Sequence, residues 1–154
     1  MMEASGRMRL GRYEFAVESA TFRYISQSWS GPGWDFNIRG RCLNDDPIEP
    51  MYPHGGIGVY TEAAPLPFEK AVDYTGVELD LPGGCDEATG EPYFAIDVGE
   101  SYEVSDVRLR FAGRDGDRYL IEMSGTAPSS LLGRPERLDL RAWVQERPDH
   151  AYPA

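Results

Sequence analysis

Two histidines, two cysteines and 26 carboxylates are the groups in this chain best suited to chemistry. A nucleophilic triad must take its base from His54 or His150, and no Gly-x-Ser-x-Gly elbow accompanies either. His54 stands in the loop Met51-Tyr52-Pro53-His54-Gly55-Gly56, where a surface histidine is the ordinary reading. Cys85 lies in Gly83-Gly84-Cys85-Asp86-Glu87, and flanking acids disfavour a thiolate nucleophile. His54, His150, Cys42 and Cys85 lack the spacing of a zinc site. Asp115-Gly116-Asp117 resembles the opening of a calcium loop but lacks the third Asx and the closing Glu, and turn chemistry already explains it. No Gly-x-x-x-x-Gly-Lys loop is present to cradle phosphate. The sequence therefore calls for no cofactor, no metal and no catalytic residue.

The carboxylates remain, and they are not spread evenly. The net charge is −11 over 154 residues. Residues 1–42 carry +2, residues 107–154 carry +1, and residues 43–106 carry −14, with Lys70 their single base. Many of these acids fall in two expected loops, as Asp45, Asp46 and Glu49 in the first and Asp86, Glu87 and Glu91 in the second. Such a concentration suits a docking face for a basic protein, because complementary charge steers encounter. It also suits a carboxylate pair acting on a glycoside, although fifteen acids identify no particular pair. Trp29, between Ser28 and Ser30 in a glycine-rich loop, is the best candidate for an exposed aromatic anchor. Arg39, Arg41, Arg108 and Arg110 read as solvent-facing cross-strand partners of acids.

Alternation of period two dominates the elements that must carry these groups. In residues 34–42, Trp34, Phe36, Ile38 and Cys42 share one face, while Asp35, Asn37, Arg39 and Arg41 share the other. Residues 13–25 hold two alternating runs whose phase changes near Glu18–Ser19, predicting a bulge or a break. Residues 20–25 and 34–42 form a plausible long hairpin. Short strands are expected at 57–60, 76–81 and 93–98. Residues 107–112 and 118–124 are expected to form a hairpin through the Asp-Gly turn chemistry of 113–117, and 138–144 a last strand. Pro67 could open one helical turn carrying Phe68 and Val72 on one side, and another helical turn is expected at 130–133.

The 17 glycines and 12 prolines lie mostly between these runs, and no ten-residue helical pattern occurs. The expected fold is all-β: an antiparallel sandwich or flattened barrel of about eight or nine short strands, with at most one or two helical turns. It is expected to occupy residues 13–147 as a single domain, with tails at 1–12 and 148–154. No apolar run is long enough to span a membrane, and the polar N-terminus does not read as a secretory signal. Cytoplasmic location with reduced cysteines is therefore expected, although a Cys42–Cys85 bridge stays open. The acidity argues against nucleic acid and anionic membranes as partners. The favoured function is a non-catalytic module presenting an acidic face to a basic protein, in the manner of an inhibitor or immunity protein. Two alternatives stand beside it. One is a small-molecule or carbohydrate-binding sandwich, with hydrolysis by loop carboxylates. The other is a structural subunit of a larger assembly.

Overall fold

Alternating side chains need two environments, and the strands supply them by curling one sheet around one core. In a computed structural model, which describes residues 5–28, 31–45 and 56–152, all the strands belong to a single sheet. They are β1 (Gly6–Leu10), β2 (Tyr13–Gln27), β3 (Gly33–Cys42), β4 (Gly56–Tyr60), β5 (Glu78–Leu81), β6 (Ala95–Asp97), β7 (Ser101–Glu103), β8 (Ser105–Asp115), β9 (Arg118–Ala127), β10 (Glu136–Glu146) and β11 (His150–Ala151). One helical turn, α1 (Ser129–Leu132), precedes β10 and ends at Gly133, whose φ of 86° suits glycine. The all-β class holds, with eleven strands in one sheet where about eight or nine in a sandwich or barrel are expected.

The strand order is β5-β8-β9-β10-β1-β2-β3-β4-β6-β7, with every neighbour antiparallel. Because β1 is short, β10 reaches past its end to pair in parallel with β2 at Gln145–Thr21 and Glu146–Phe22. The end strands β5 and β7 do not pair, so hydrogen bonds do not close the sheet. The curl is instead fixed from inside. Phe22 on β2 touches five rings: Phe36 at 5.4 Å, Phe111 at 5.6 Å, Tyr74 at 5.7 Å, Tyr119 at 5.8 Å and Trp34 at 6.2 Å. Phe111 belongs to β8, five places from β3 in the order, yet its ring lies 6.4 Å from Phe36. The connector 61–77 adds Phe68, stacked on Trp34 at 4.2 Å, and Tyr74, which is fully buried. Burial pushes the Tyr74 phenol above its ordinary pKa, and the Glu146 carboxylate beside it pushes the same way.

Several expectations need correction. The N-terminal residues 6–10, expected in a tail, form β1 in the middle of the sheet. Met8 and Leu10 alternate there with Arg7 and Arg9, a pattern too short to stand out. The C-terminal tail is also docked. Its strand β11 runs parallel to the end of β2, the Tyr152 hydroxyl donates to Asp35 at 2.8 Å, and Asp149 pairs with Lys70. Pro67 opens no helix. The Leu66 and Phe68 amides donate to carbonyls only two residues back, so the segment follows tight turns. Those turns send Phe68 inward and leave Val72 89% exposed, rather than sharing one side. The Glu18 expectation resolves as a bulge within one continuous strand.

The ring cluster generates two predictions. Phe22→Ala should cost about 3–5 kcal/mol by chemical denaturation, as for other large-to-small core changes. Tyr152→Phe should cost about 1 kcal/mol, the typical value of one hydrogen bond. The bond to Asp35 raises the phenol above its ordinary value of 10.0, favouring the protonated form in the folded chain. The stabilisation is therefore fully present below that pH and disappears as pH rises through the raised value. A pH titration of stability should show a smaller alkaline loss in Tyr152→Phe than in the parent, the remainder coming from the other raised phenols such as Tyr74.

Candidate functional site

With the interior filled by rings, the groups available to a partner are those that alternation sends outward. They fall into two electrostatically different regions. The first is a trough of about 1180 Å³ across β5, β8, β9, β10, β1 and β2. Register lines its charges into two rows. One reads Glu78, Arg110, Glu122, Arg141, Arg7 from β5 to β1, and the other reads Asp80, Arg108, Ser124, Asp139, Arg9, Glu14 from β5 to β2. The trough holds six arginines against five carboxylates. Arg110 donates to Glu122, which also lies 3.8 Å from Arg141, and Arg108 lies 3.8 Å from Asp80. The Arg110 hydrogen bond is the main cause that lowers the Glu122 carboxyl below the usual range. Arg108 and Arg110 thus take the cross-strand role expected of them.

The second region is the opposite edge of the sheet. Residues 85–106 contain seven acids and no base. They comprise the loop 85–92, the β6–β7 hairpin and the link into β8. Among the described residues none of the seven joins an ion pair. Their hydrogen bonds are local. Asp97 accepts from the Gly99 amide at 2.9 Å, and Glu100 accepts from the Tyr102 hydroxyl at 3.0 Å, raising that phenol's pKa. Asp106 sits at φ 50°, where β7 gives way to β8, and accepts from the Gly83 amide at 3.5 Å. Asp97 and Arg39 face each other across Gly58, which has no side chain to separate them.

Of the expected site residues, Asp86, Glu87 and Glu91 share this region. Asp86 has a structural task, since its carboxylate accepts from the Thr89 hydroxyl at 2.9 Å and the Ala88 amide at 3.4 Å. Its own amide donates to the Glu91 carbonyl, closing the loop. Glu87 and Glu91 are exposed, and Asp86 and Glu87 help raise the pKa of Tyr93, which burial raises most. Asp45 is exposed beyond the end of β3. The loop 85–92 leads to Ala95, which stands beside Tyr60 and so beside Asn37. Asp45 follows Cys42, roughly 17 Å further along β3 at about 3.4 Å per residue. Asp45 and the loop 85–92 therefore lie at opposite ends of this ladder. Asp46, Glu49 and Trp29 lie outside the described residues, as does His54. The sequence places Glu100, Glu103 and Asp106 near a strand end and turns Glu78 and Asp80 outward, but does not say which surface each set joins. Glu78 and Asp80 pass into the trough, and Glu100, Glu103 and Asp106 join the loop acids. The alternation of Glu78 and Asp80 with Leu79 and Leu81 was the available signal.

Trp34 is core, as its phase indicates, and the Trp143 ring is half-buried under Arg118 at 5.5 Å. Cys42 and Cys85 are both free, so the open question of a bridge is answered. Among the described residues no three His, Cys, Asp or Glu are grouped to hold a metal, and no helix is long and apolar enough to cross a membrane. Comparison of the chain with family models, curated proteins and solved structures gives no match.

The paired row makes one prediction. Glu122→Gln removes the negative charge that Arg110 and Arg141 share and should lower the thermal midpoint slightly at low salt, with the difference vanishing at high salt. Because Glu122 is depressed when folded, its contribution is present above its ordinary value of 4.5 and lost as pH falls through the lowered one. Midpoints of parent and variant should therefore converge in acid.

Proposed function

We propose that the chain is a non-catalytic binding module that presents its acidic edge to a basic protein, as an inhibitor or immunity-type protein does. The observation that carries this reading is the run of seven acids without a base or an ion pair, set around the end strand of the sheet. Elsewhere in the same segment Asp80 is matched by Arg108 and Asp73 by Arg114, while the other described acids of 43–84 are spread over separate elements rather than gathered on one edge. Unmatched like charge weakens a fold, so its concentration on one edge calls for a counter-charge from outside. The edge strand β7 also leaves one row of backbone groups unpaired within the sheet, which allows a partner strand to add to it. A basic partner would meet this edge quickly and with strong salt dependence. Two free cysteines support a cytoplasmic setting within this reading.

Capture from a lysate of the source cell tests the proposal. The full chain should retain a basic protein at low ionic strength and release it at high ionic strength. A variant carrying E87Q, E91Q, E100Q and E103Q should lose it while keeping the parent's thermal midpoint or exceeding it. Capture of nothing at low salt, or undiminished capture by the variant, would remove the acidic edge as the binding surface.

A further inference from the structure

Within the trough, one position breaks the alternation of sign. Arg9 has an acid on each neighbouring strand, Asp139 and Glu14. Arg7, two residues earlier on the same face, stands opposite Arg141 on one side and Ala16 on the other. Beyond Ala16, the next residue in the row is Arg41 on β3. Three arginines thus occupy four neighbouring strands with a methyl group as the only other side chain. Strands lie about 4.8 Å apart, so Arg7 and Arg141 are immediate neighbours and Arg41 is about 10 Å from Arg7. Like charges directly opposite on a sheet destabilise it. The acid nearest to Arg141 is Glu122, already bonded to Arg110. Among the described residues, Arg7 and Arg41 join no ion pair. This local conflict lies in a chain of net charge −11, and both Arg7 and Arg141 line the trough. Places where a fold breaks its own local rule are where function is expected.

We infer that Arg7 and Arg141, flanked by Arg41, form a binding site for a phosphoryl or sulfuryl oxyanion carried by a small ligand lying in the trough. Guanidinium groups suit this ligand, because their forked donors match the oxygens of a tetrahedral anion. The anion would supply the counter-charge that the row lacks. The surrounding acids at Glu14, Glu78, Asp80 and Glu122 favour a compact anion over a long polyanion, which would run against them. The site is distinct from the acidic edge, being on β1 and β10 rather than β6 and β7.

Titration of the full chain with inorganic phosphate, sulfate and pyrophosphate, followed by NMR of backbone amides and arginine side chains, tests this. Saturable shifts are expected at Arg7, Arg141 and Arg41. Arg7→Gln should weaken binding about tenfold or more, as loss of a charged bidentate partner implies. That variant should fold at least as well as the parent, since it relieves the opposition to Arg141. Arg9→Gln should bind like the parent. Adenosine monophosphate and phosphoserine, titrated alongside, separate a phosphate ester from free phosphate as the preferred source. Absence of saturable shifts with every oxyanion, equal binding by Arg7→Gln, or shifts of the same size at Arg9 and Arg108 would overturn the site.

Discussion

The contact of Phe22 with five rings is the interaction on which the remainder of the structure depends. A sheet whose end strands do not pair has no hydrogen-bonded reason to stay curled. Here the curl persists because Phe36 on β3 and Phe111 on β8 meet around Phe22, and because the connector 61–77 lays Phe68 and Tyr74 against the same rings. The burial of apolar surface supplies the driving force, and the tilted and edge-on ring pairs add a geometric preference. One consequence is positional. A concave face filled by rings leaves recognition to the outer face and the sheet edges.

The outer face then divides by electrostatics, and strand order decides how. On β5 and β8, antiparallel register sets Glu78 and Asp80 from the middle of the chain beside Arg110 and Arg108, and across β9, β10 and β1 it sets Arg110 and Arg141 beside Glu122 and Arg9 beside Asp139. That arrangement leaves this part of the outer surface nearly neutral, with six arginines against five carboxylates. On β6 and β7 no arginine-bearing strand lies beyond the edge, so apart from Arg39 facing Asp97 across Gly58 the charge of residues 85–106 meets no base. Acidic residues at an open edge also deter unwanted strand pairing between copies of the chain. The same charges thus discourage self-association and favour a basic partner, and these roles reinforce each other.

Much of the scaffold was legible in the residues. Trp34, Phe36 and Ile38 reveal β3 because alternation over nine residues has no helical alternative. The Asp115-Gly116 pair reveals the β8–β9 hairpin, though the strands run on to Asp115, past a bulge near Gly113, and turn only at Gly116 and Asp117. Gly116, with a φ of 64°, provides the backbone state that this tight turn requires. Less legible were β1, β7 and β11, each five residues or fewer, whose pairing depends on partners distant in sequence. The charge pattern was legible in outline and misleading in detail. A count along the chain cannot say that Asp80 will meet Arg108 while Glu100 and Glu103 meet no base, because that depends on which strands become neighbours. Nor does sequence reveal the conflict at Arg7, since Arg141 is remote until β1 and β10 pair.

The central claim is that charge is segregated in space, with a matched ladder on one part of the sheet and an unmatched acidic edge on the other. Residue-resolved surface potentials, obtained from NMR relaxation by paired cationic and anionic paramagnetic probes, test it most directly. Segregation predicts marked enrichment of the cationic probe at amides 86–106, and near balance or preference for the anionic probe at Arg7 and Arg141. A potential uniformly negative over both regions would contradict it.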